Sequence, residues 1–404
     1  MTAAGPLTVL CIASYEKGHE FLREAKRQGC TVLLLTSESL MKTANWPTES
    51  IDEIFYMPDV NKKWNLQHTI LAVSHLARNR RLDRVVPLDD FDLETAATLR
   101  EHMRVPGMGE TTTRYFRDKL AMRARAKFAK IPVPEFVRLL NDGEIHEFTR
   151  NLSSPWMLKP RSQAGAIGLK KIASEHELWK SLEGLGDDRS FYLLERYVPG
   201  QVYHVDTIVF HGELLFCNVS RYGTPPMDVI HQGGVFTTQT LPSGDPKARE
   251  LCALNWRVLQ AFGLVWGVSH SEFIVAQDET AYFLETSARV GGANIAELIE
   301  AATGVNMWRE WARIELAGED GSYAPPEPKR DAAGLLISLA REEWPSTEEF
   351  IDPEIVWRMR KPWHVGMIVR SSQHARVEEL LRRYSERVRQ MYSAFQPPPD
   401  RPIH

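Results

Sequence analysis

Two short apolar runs joined by a polar turn constrain this chain more than any other stretch. They read His270-Ser271-Glu272-Phe273-Ile274-Val275-Ala276, then Gln277-Asp278-Glu279-Thr280, then Ala281-Tyr282-Phe283-Leu284-Glu285-Thr286-Ser287-Ala288-Arg289. Both arms are rich in β-branched and aromatic residues and predict a hairpin. A turn centred between Asp278 and Glu279 sets Glu272 across from Glu285 and His270 across from Ser287. Side chains alternate along a strand, so Glu272, Glu285, Ser287 and Arg289 share one face. Two facing carboxylates repel, and the arrangement calls for a cation. A divalent ion fits, because two carboxylates and a hydroxyl supply part of the oxygen shell that magnesium takes. Arg289 has the forked geometry that meets a phosphoryl group or a carboxylate. Gly291-Gly292 beyond it would leave amides open to an anion. The plain alternative is a solvated pair of glutamates on an exposed hairpin face.

Upstream stretches supply positive charge. Lys159 closes the apolar run Trp156-Met157-Leu158-Lys159-Pro160 and is followed by a small-residue loop containing Gly165 and Gly168. Such a lysine suits phosphate, because the loop amides approach closely and the ammonium adds charge. The loop is not a Walker A sequence. A second lysine, Lys119, opens a helix in Arg117-Asp118-Lys119-Leu120. A cation there opposes the helix dipole unless an anion lies nearby. Farther on, Leu193-Leu194-Glu195-Arg196-Tyr197-Val198-Pro199-Gly200 leaves a strand for a turn, a hinge whose backbone can serve adenine.

The first hundred residues alternate β-rich runs at 7–14, 31–37, 52–58 and 84–90 with amphipathic segments, the rhythm of a parallel sheet. Ligands sit beyond the carboxyl ends of such strands, here marked by Ser14, Ser37 and the Asp89-Asp90 pair. Asp89 and Asp90 equally suit a polar strand end and helix cap. No GxGxxG fingerprint is present, so no dinucleotide site is expected there. A helix predicted over 115–130 stops at Ile131-Pro132-Val133-Pro134, and a first domain boundary falls near residue 113. A small α+β unit follows to residue 196, then long antiparallel runs at 202–210 and 213–220 and a helix at 245–262. A proline-rich stretch at 323–328 leads into a last α+β section, and the tail 396–402 reads as disordered.

The length of 404 residues, 43% of them hydrophobic, suits about two or three domains of roughly 100 to 200 residues. With 49 Lys and Arg against 53 Asp and Glu, no global basic field exists to hold nucleic acid. Cys11, Cys30, Cys217 and Cys252 show no CxxC spacing and are expected as buried thiols of a reducing, cytoplasmic compartment. The apolar run 7–13 is too short to cross a bilayer and lacks a basic flank, so no membrane partner is expected.

In chain order, Asp118-Lys119, Met157-Leu158-Lys159-Pro160 with its glycine loop, Leu194-Glu195-Arg196-Tyr197-Val198-Pro199-Gly200, Gly267-Val268-Ser269-His270-Ser271-Glu272 and Leu284-Glu285-Thr286-Ser287-Ala288-Arg289-Val290-Gly291-Gly292 together resemble an ATP-grasp carboxylate-amine ligase. The resemblance covers about residues 115–300, and the ordered combination carries it. It implies an α/β fold with α+β lobes. A parallel-sheet domain over 1–113 precedes a two-lobed ATP-grasp unit, with a small lobe over 114–200 and a large lobe with a C-terminal α+β extension over 201–404. It further implies ATP between the lobes. Lys119, Lys159, Gly165 and Gly168 would serve the phosphates, and Leu193, Leu194, Glu195, Arg196, Tyr197 and Val198 the adenine. Magnesium, or manganese, is implied on Glu272, Glu285 and Ser287, with Arg289 stabilising charge during transfer. The motifs around His270 and Arg289 are most similar to those of L-amino-acid ligases. Ser287 departs from the family's metal-binding asparagine. Val202 stands near the place of an acidic residue that holds the ribose, which leaves that contact to Asp206, to another residue or to none.

The implied activity joins a small-molecule carboxylate, amino acids included, to an amine through an acyl phosphate, with release of ADP and phosphate. His270 is the candidate to orient or deprotonate the amine, the alternative being a structural histidine bonded to Ser287 across the ladder. The stretch 221–234 is expected as a loop that selects substrate or covers the acyl phosphate, the alternative being a surface connection. Rival readings are a nucleotide-binding sensor that performs no ligation, and an ATP-dependent carboxylase or carboxylate kinase. A homodimer is the expected assembly.

Overall fold

The structure is a computed structural model that describes residues 6–165, 167–242, 244–319 and 321–395, without the side chains of residues 230–232. The tail 396–402 lies outside the described residues. The four early β-rich runs form a parallel sheet in the order Glu53–Met57, Thr31–Ser37, Thr8–Ala13, Arg84–Pro87. They are apolar at successive positions because both faces of the sheet are covered. Val9, Cys11 and Ala13 pack with Phe21 and Leu22 of helix His19–Arg27 and with Trp311 of helix Met307–Ala317. Leu10 and Ile12 pack on the opposite side with Val73, Ala96 and Leu99. Arg309 and Arg313 add ion pairs of 2.6 and 2.7 Å to Glu20 and Glu24, fastening the parallel sheet to the later half of the chain.

The second sheet is antiparallel, in the order Phe136–Arg138, Tyr192–Arg196, Trp156–Pro160, Lys170–Ile172. Helices Asp142–Asn151 and Glu175–Leu185 cover one face through Ile145, Leu178 and Leu182, which meet Trp156, Leu158 and Leu194. Alternation therefore sends Lys159 and Glu195 to the other face.

The third sheet has eight strands, in the order Ala281–Ser287, Gly267–Ala276, Gly200–Phe210, Glu213–Tyr222, Phe236–Thr240, Ala332–Leu339, His364–Ser371, Ile355–Arg358. The last α+β section thus continues the same sheet. Helix Pro246–Phe262 packs beneath the first four strands, joined there by Phe116, Met122 and Ala126 around helix Lys119–Phe128. Helix Lys119–Phe128 starts later than the sequence predicts, because the Asp118 side chain accepts from the Leu120 and Ala121 amides and caps it at that point.

Two expectations are corrected. The stretch 221–234 is no simple loop, since it contains helix Pro226–Gln232, opened by proline at its first position. Cys217 and Cys252 are not free thiols but form a disulfide between strand Glu213–Tyr222 and helix Pro246–Phe262. Sequence spacing could not reveal a pair brought together only by helix-on-sheet packing. Cys11 and Cys30 are free and buried. The cytoplasmic expectation loses the support of those two thiols. No helix among the described residues is long and apolar enough to cross a membrane.

Candidate active site

Strand pairing lays two polar rows side by side across the large sheet. One runs Ser287, His270, Asp206, Asn218 and the next Glu285, Glu272, His204, Ser220. The expected pairing of Glu272 with Glu285 is present, but it arises by another route. Near the turn Val275 opposes Ala281 and Phe273 opposes Phe283, one residue off the expected register. A bulge at Leu284 restores the register at the acidic pair, and the Leu284 carbonyl accepts from the Arg123 guanidinium.

Lys119 reaches this pair from the start of its helix. Its Nζ lies 2.6 Å from Glu285 Oε2 and also donates to the Gln163 carbonyl at 2.6 Å, spanning hairpin and glycine loop. Burial would raise the Glu285 carboxyl, but Lys119 outweighs it and holds the group low. Glu272 is pushed up instead, first by burial and then by the charge of Glu285. The Tyr222 hydroxyl donates to Glu272 Oε1 at 2.9 Å, and burial followed by that carboxylate holds the phenol well above its ordinary range.

Lys159 pairs with Glu195, which also receives Arg123 Nε at 2.9 Å. Burial opposes ionisation of Glu195, and the two cations override it. Leu193 and Leu194 are buried in a strand paired on both edges. The Arg196 and Tyr197 amides are held by the Glu135 and Pro155 carbonyls, whereas the Val198 N–H finds no partner among the described residues. Gly165 and Gly168 take left-handed φ angles of 67° and 73°, which lets the loop after Lys159 turn tightly.

Asp206 uses both carboxylate oxygens on imidazoles: His204 Nδ1 at 2.7 Å and His270 Nδ1 at 2.8 Å. His204 Nε2 is fixed by the Thr238 hydroxyl at 2.8 Å. Burial would lower the His270 imidazole, but Asp206 raises it. His270 Nε2 stands 4.0 Å from Glu272 Oε1, on the side of the acidic pair. A Cβ at Gly291 would come within 3.0 Å of Asp206 Oδ1 and His270 Nδ1, so this glycine permits close packing of the 289–292 turn on the imidazole–carboxylate contact. Side-chain donors of His204, Asp206 and His270 lie within 4.8 Å of one another, but they already satisfy each other by hydrogen bonds.

Ser287 opposes His270 in the ladder without bonding to it; its hydroxyl donates to Asp90 Oδ1 at 2.5 Å. Asp90 also faces Arg117 at 3.4 Å and Arg289 at 3.7 Å, and these guanidinium groups hold its carboxyl low despite burial. Arg289 donates through a terminal nitrogen to the Val290 carbonyl at 2.9 Å, and its buried Nε has no partner among the described residues. The parallel-sheet strand end therefore touches the hairpin through Asp90. Sequence reasoning missed Arg123, whose signal was its place on the buried Lys119, Met122, Arg123, Ala126 stripe of an amphipathic helix. It also missed His204, two residues before Asp206 on the same strand face, and Tyr222.

The fold defined by these sheets and this cleft is the ATP-grasp fold. A solved L-amino acid ligase from Bacillus licheniformis superposes with a TM-score of 0.75 at 16% identity, over 98% of this chain and 100% of that one. The biotin carboxylase domain of the Hydrogenobacter thermophilus 2-oxoglutarate carboxylase, solved with MgADP and bicarbonate, gives 0.70 at 17% identity, over 96% and 90%. By sequence, the chain is 26% identical over 273 residues to the L-arginine-specific L-amino acid ligase of Bacillus subtilis, covering 66% of this chain and 64% of that protein. The chain thus spans a little under two thirds of that relative. No protein-family model matches it.

Proposed function

We propose that the protein is an ATP-dependent carboxylate-amine ligase that activates a carboxylate as an acyl phosphate and passes it to an amine, releasing ADP and phosphate. The observation that carries this reading is Glu272 opposite Glu285 with Lys119 at 2.6 Å, set in an ATP-grasp fold. The lobes that enclose ATP in this reading are residues 114–200 and 201–404, behind a domain of residues 1–113.

Glu272 and Glu285 fit magnesium, because the donors are carboxylate oxygens and Lys119 alone leaves the pair one positive charge short. When bound, such an ion neutralises phosphate oxygens as charge spreads over the transferred group. Ser287 donates its hydrogen to Asp90, which leaves the lone pairs of its oxygen for that shell. Lys119 and Lys159 bind the phosphates, next to the 163–168 loop, and the Val198 amide serves adenine. Arg289, with its unpartnered Nε, holds the carboxylate substrate or the phosphoryl group leaving ATP. His270, locked by Asp206, presents Nε2 to orient the amine. Amino acids are the substrate class this reading favours, in keeping with the ligase similarity.

The test is an ADP-release screen of carboxylates crossed with amines, with mass spectrometry of the product. Ligation requires release that depends on both substrates, with a condensed product. Turnover with carboxylate alone means a carboxylate kinase, bicarbonate dependence a carboxylase, and binding without turnover a sensor.

A further inference from the structure

Away from the acidic pair, a cavity of about 280 Å³ lies between the parallel-sheet unit and the large sheet. Its wall includes Pro87, two residues before Asp89, and Ala288, between Ser287 and Arg289, but none of the site side chains described above. Two buried charged residues line it, together with the exposed Glu319. Arg100 is 7% exposed and Glu315 6%. Among the described residues, neither makes an ion pair.

Both side chains are fixed by other partners. Arg100 donates through Nε to the Val85 carbonyl at 2.8 Å and through one terminal nitrogen to the Met108 carbonyl at 3.3 Å, which uses only part of its five-donor fork. The Gly107 backbone crowds its stem, since a Cβ there would sit 2.8 Å from Arg100 Nε. Glu315 accepts from Trp311 Nε1 at 3.0 Å, within its own helix. A buried guanidinium and a buried carboxylate that only needed neutralising would pair directly. Lining one cavity with no ion pair between them among the described residues, they match a ligand carrying both charges. Met108, Leu264 and Trp266 add apolar lining. The volume falls at the small end for ligand sites.

We propose that this cavity binds a compact apolar α-amino acid, its carboxylate on Arg100 and its ammonium on Glu315. The site is separate from the ligase cleft and stands whether or not the ligase reading does. Burial holds the Arg100 guanidinium below its usual range, and the charge of Glu315 offsets that only in part.

The test is isothermal titration calorimetry of the full chain with the apolar proteinogenic L-amino acids, each alongside its des-amino acid. At least one is expected to bind with one-to-one stoichiometry and at least tenfold more tightly than its des-amino acid. Glu315→Gln keeps an acceptor for Trp311 but removes the charge, and is expected to erase that preference. Met108→Trp fills the cavity from its rim and is expected to weaken binding at least tenfold. Circular dichroism and thermal midpoints confirm that both variants fold. Binding unchanged in both folded variants would place the amino acid in the cleft and overturn the proposal. Heat from no member of the panel would leave the cavity to solvent and overturn it equally.

Discussion

The protein holds two lysine–glutamate stations, one on each side of its cleft, and they are built on opposite principles. On the small sheet Lys159 and Arg123 both face Glu195, and the Arg123 and Glu195 side chains are 0% and 1% exposed. Two cations against one carboxylate leave that station overcompensated, its Arg123–Glu195 contact sealed and its Lys159 side chain 11% exposed. On the hairpin, Lys119 faces Glu285 with Glu272 directly behind, and the Lys119 and Glu285 side chains are 10% and 30% exposed. One cation against two carboxylates leaves that station short of positive charge and open to ligands. Arg123 links the two, because it bonds both Glu195 and the bulged Leu284 carbonyl. The lesson is that similar ion pairs serve different ends: the sealed Arg123–Glu195 contact aligns the sheets, and the hairpin pair is left short of positive charge.

The difference can be broken at either end. Arg123→Met strands a buried carboxylate with a single partner and is expected to cost about 3–5 kcal/mol of stability, read by urea unfolding. A loss below about 1 kcal/mol would mean that the sealed station is not sealed. Glu285→Gln should lower metal-dependent ADP release about 10²-fold or more, while calorimetry shows only a small drop in thermal midpoint, since relief of the repulsion with Glu272 offsets part of the lost Lys119 ion pair. Unchanged turnover would remove the metal assignment. Lys119→Met should weaken ATP binding about tenfold, the size of a lost charge-assisted hydrogen bond, with little change in stability. Equal affinity in titration calorimetry would confine Lys119 to Glu285. The smallest effect is expected of Ser287→Ala, which removes one hydrogen bond to an aspartate still faced by Arg117 and Arg289. It should cost about 1 kcal/mol and leave the magnesium dependence of turnover nearly intact, whereas a large shift in that dependence would place Ser287 in the metal shell.

The hairpin shows how much the sequence could say. Alternation and a polar turn were enough to pair Glu272 with Glu285, yet the pairing near the turn is one residue off, and only the Leu284 bulge brings the acidic pair into line. A bulge depends on contacts with a distant helix, here Arg123, and leaves no local signature. The parallel strands were legible because Thr8–Ala13 and Thr31–Ser37 are runs buried on both faces, with Arg84–Pro87 and the half-buried edge strand Glu53–Met57 beside them. The Asp206 cluster was not, because its meaning depends on two histidines, one on its own strand and one on the next. Ser287 was legible as a member of the polar face, but its bond to Asp90 crosses 197 residues of chain.

By itself the sequence determined the order of strands and helices, the acidic face of the hairpin, and the two lysines with their glycine loop, since periodicity and local chemistry act over a few residues. Tertiary structure alone decided which cation meets which carboxylate, that Cys217 reaches Cys252, and that Arg100 and Glu315 line one cavity. Those outcomes depend on how sheets and helices far apart in sequence pack against each other, and burial then sets the strength of each charge.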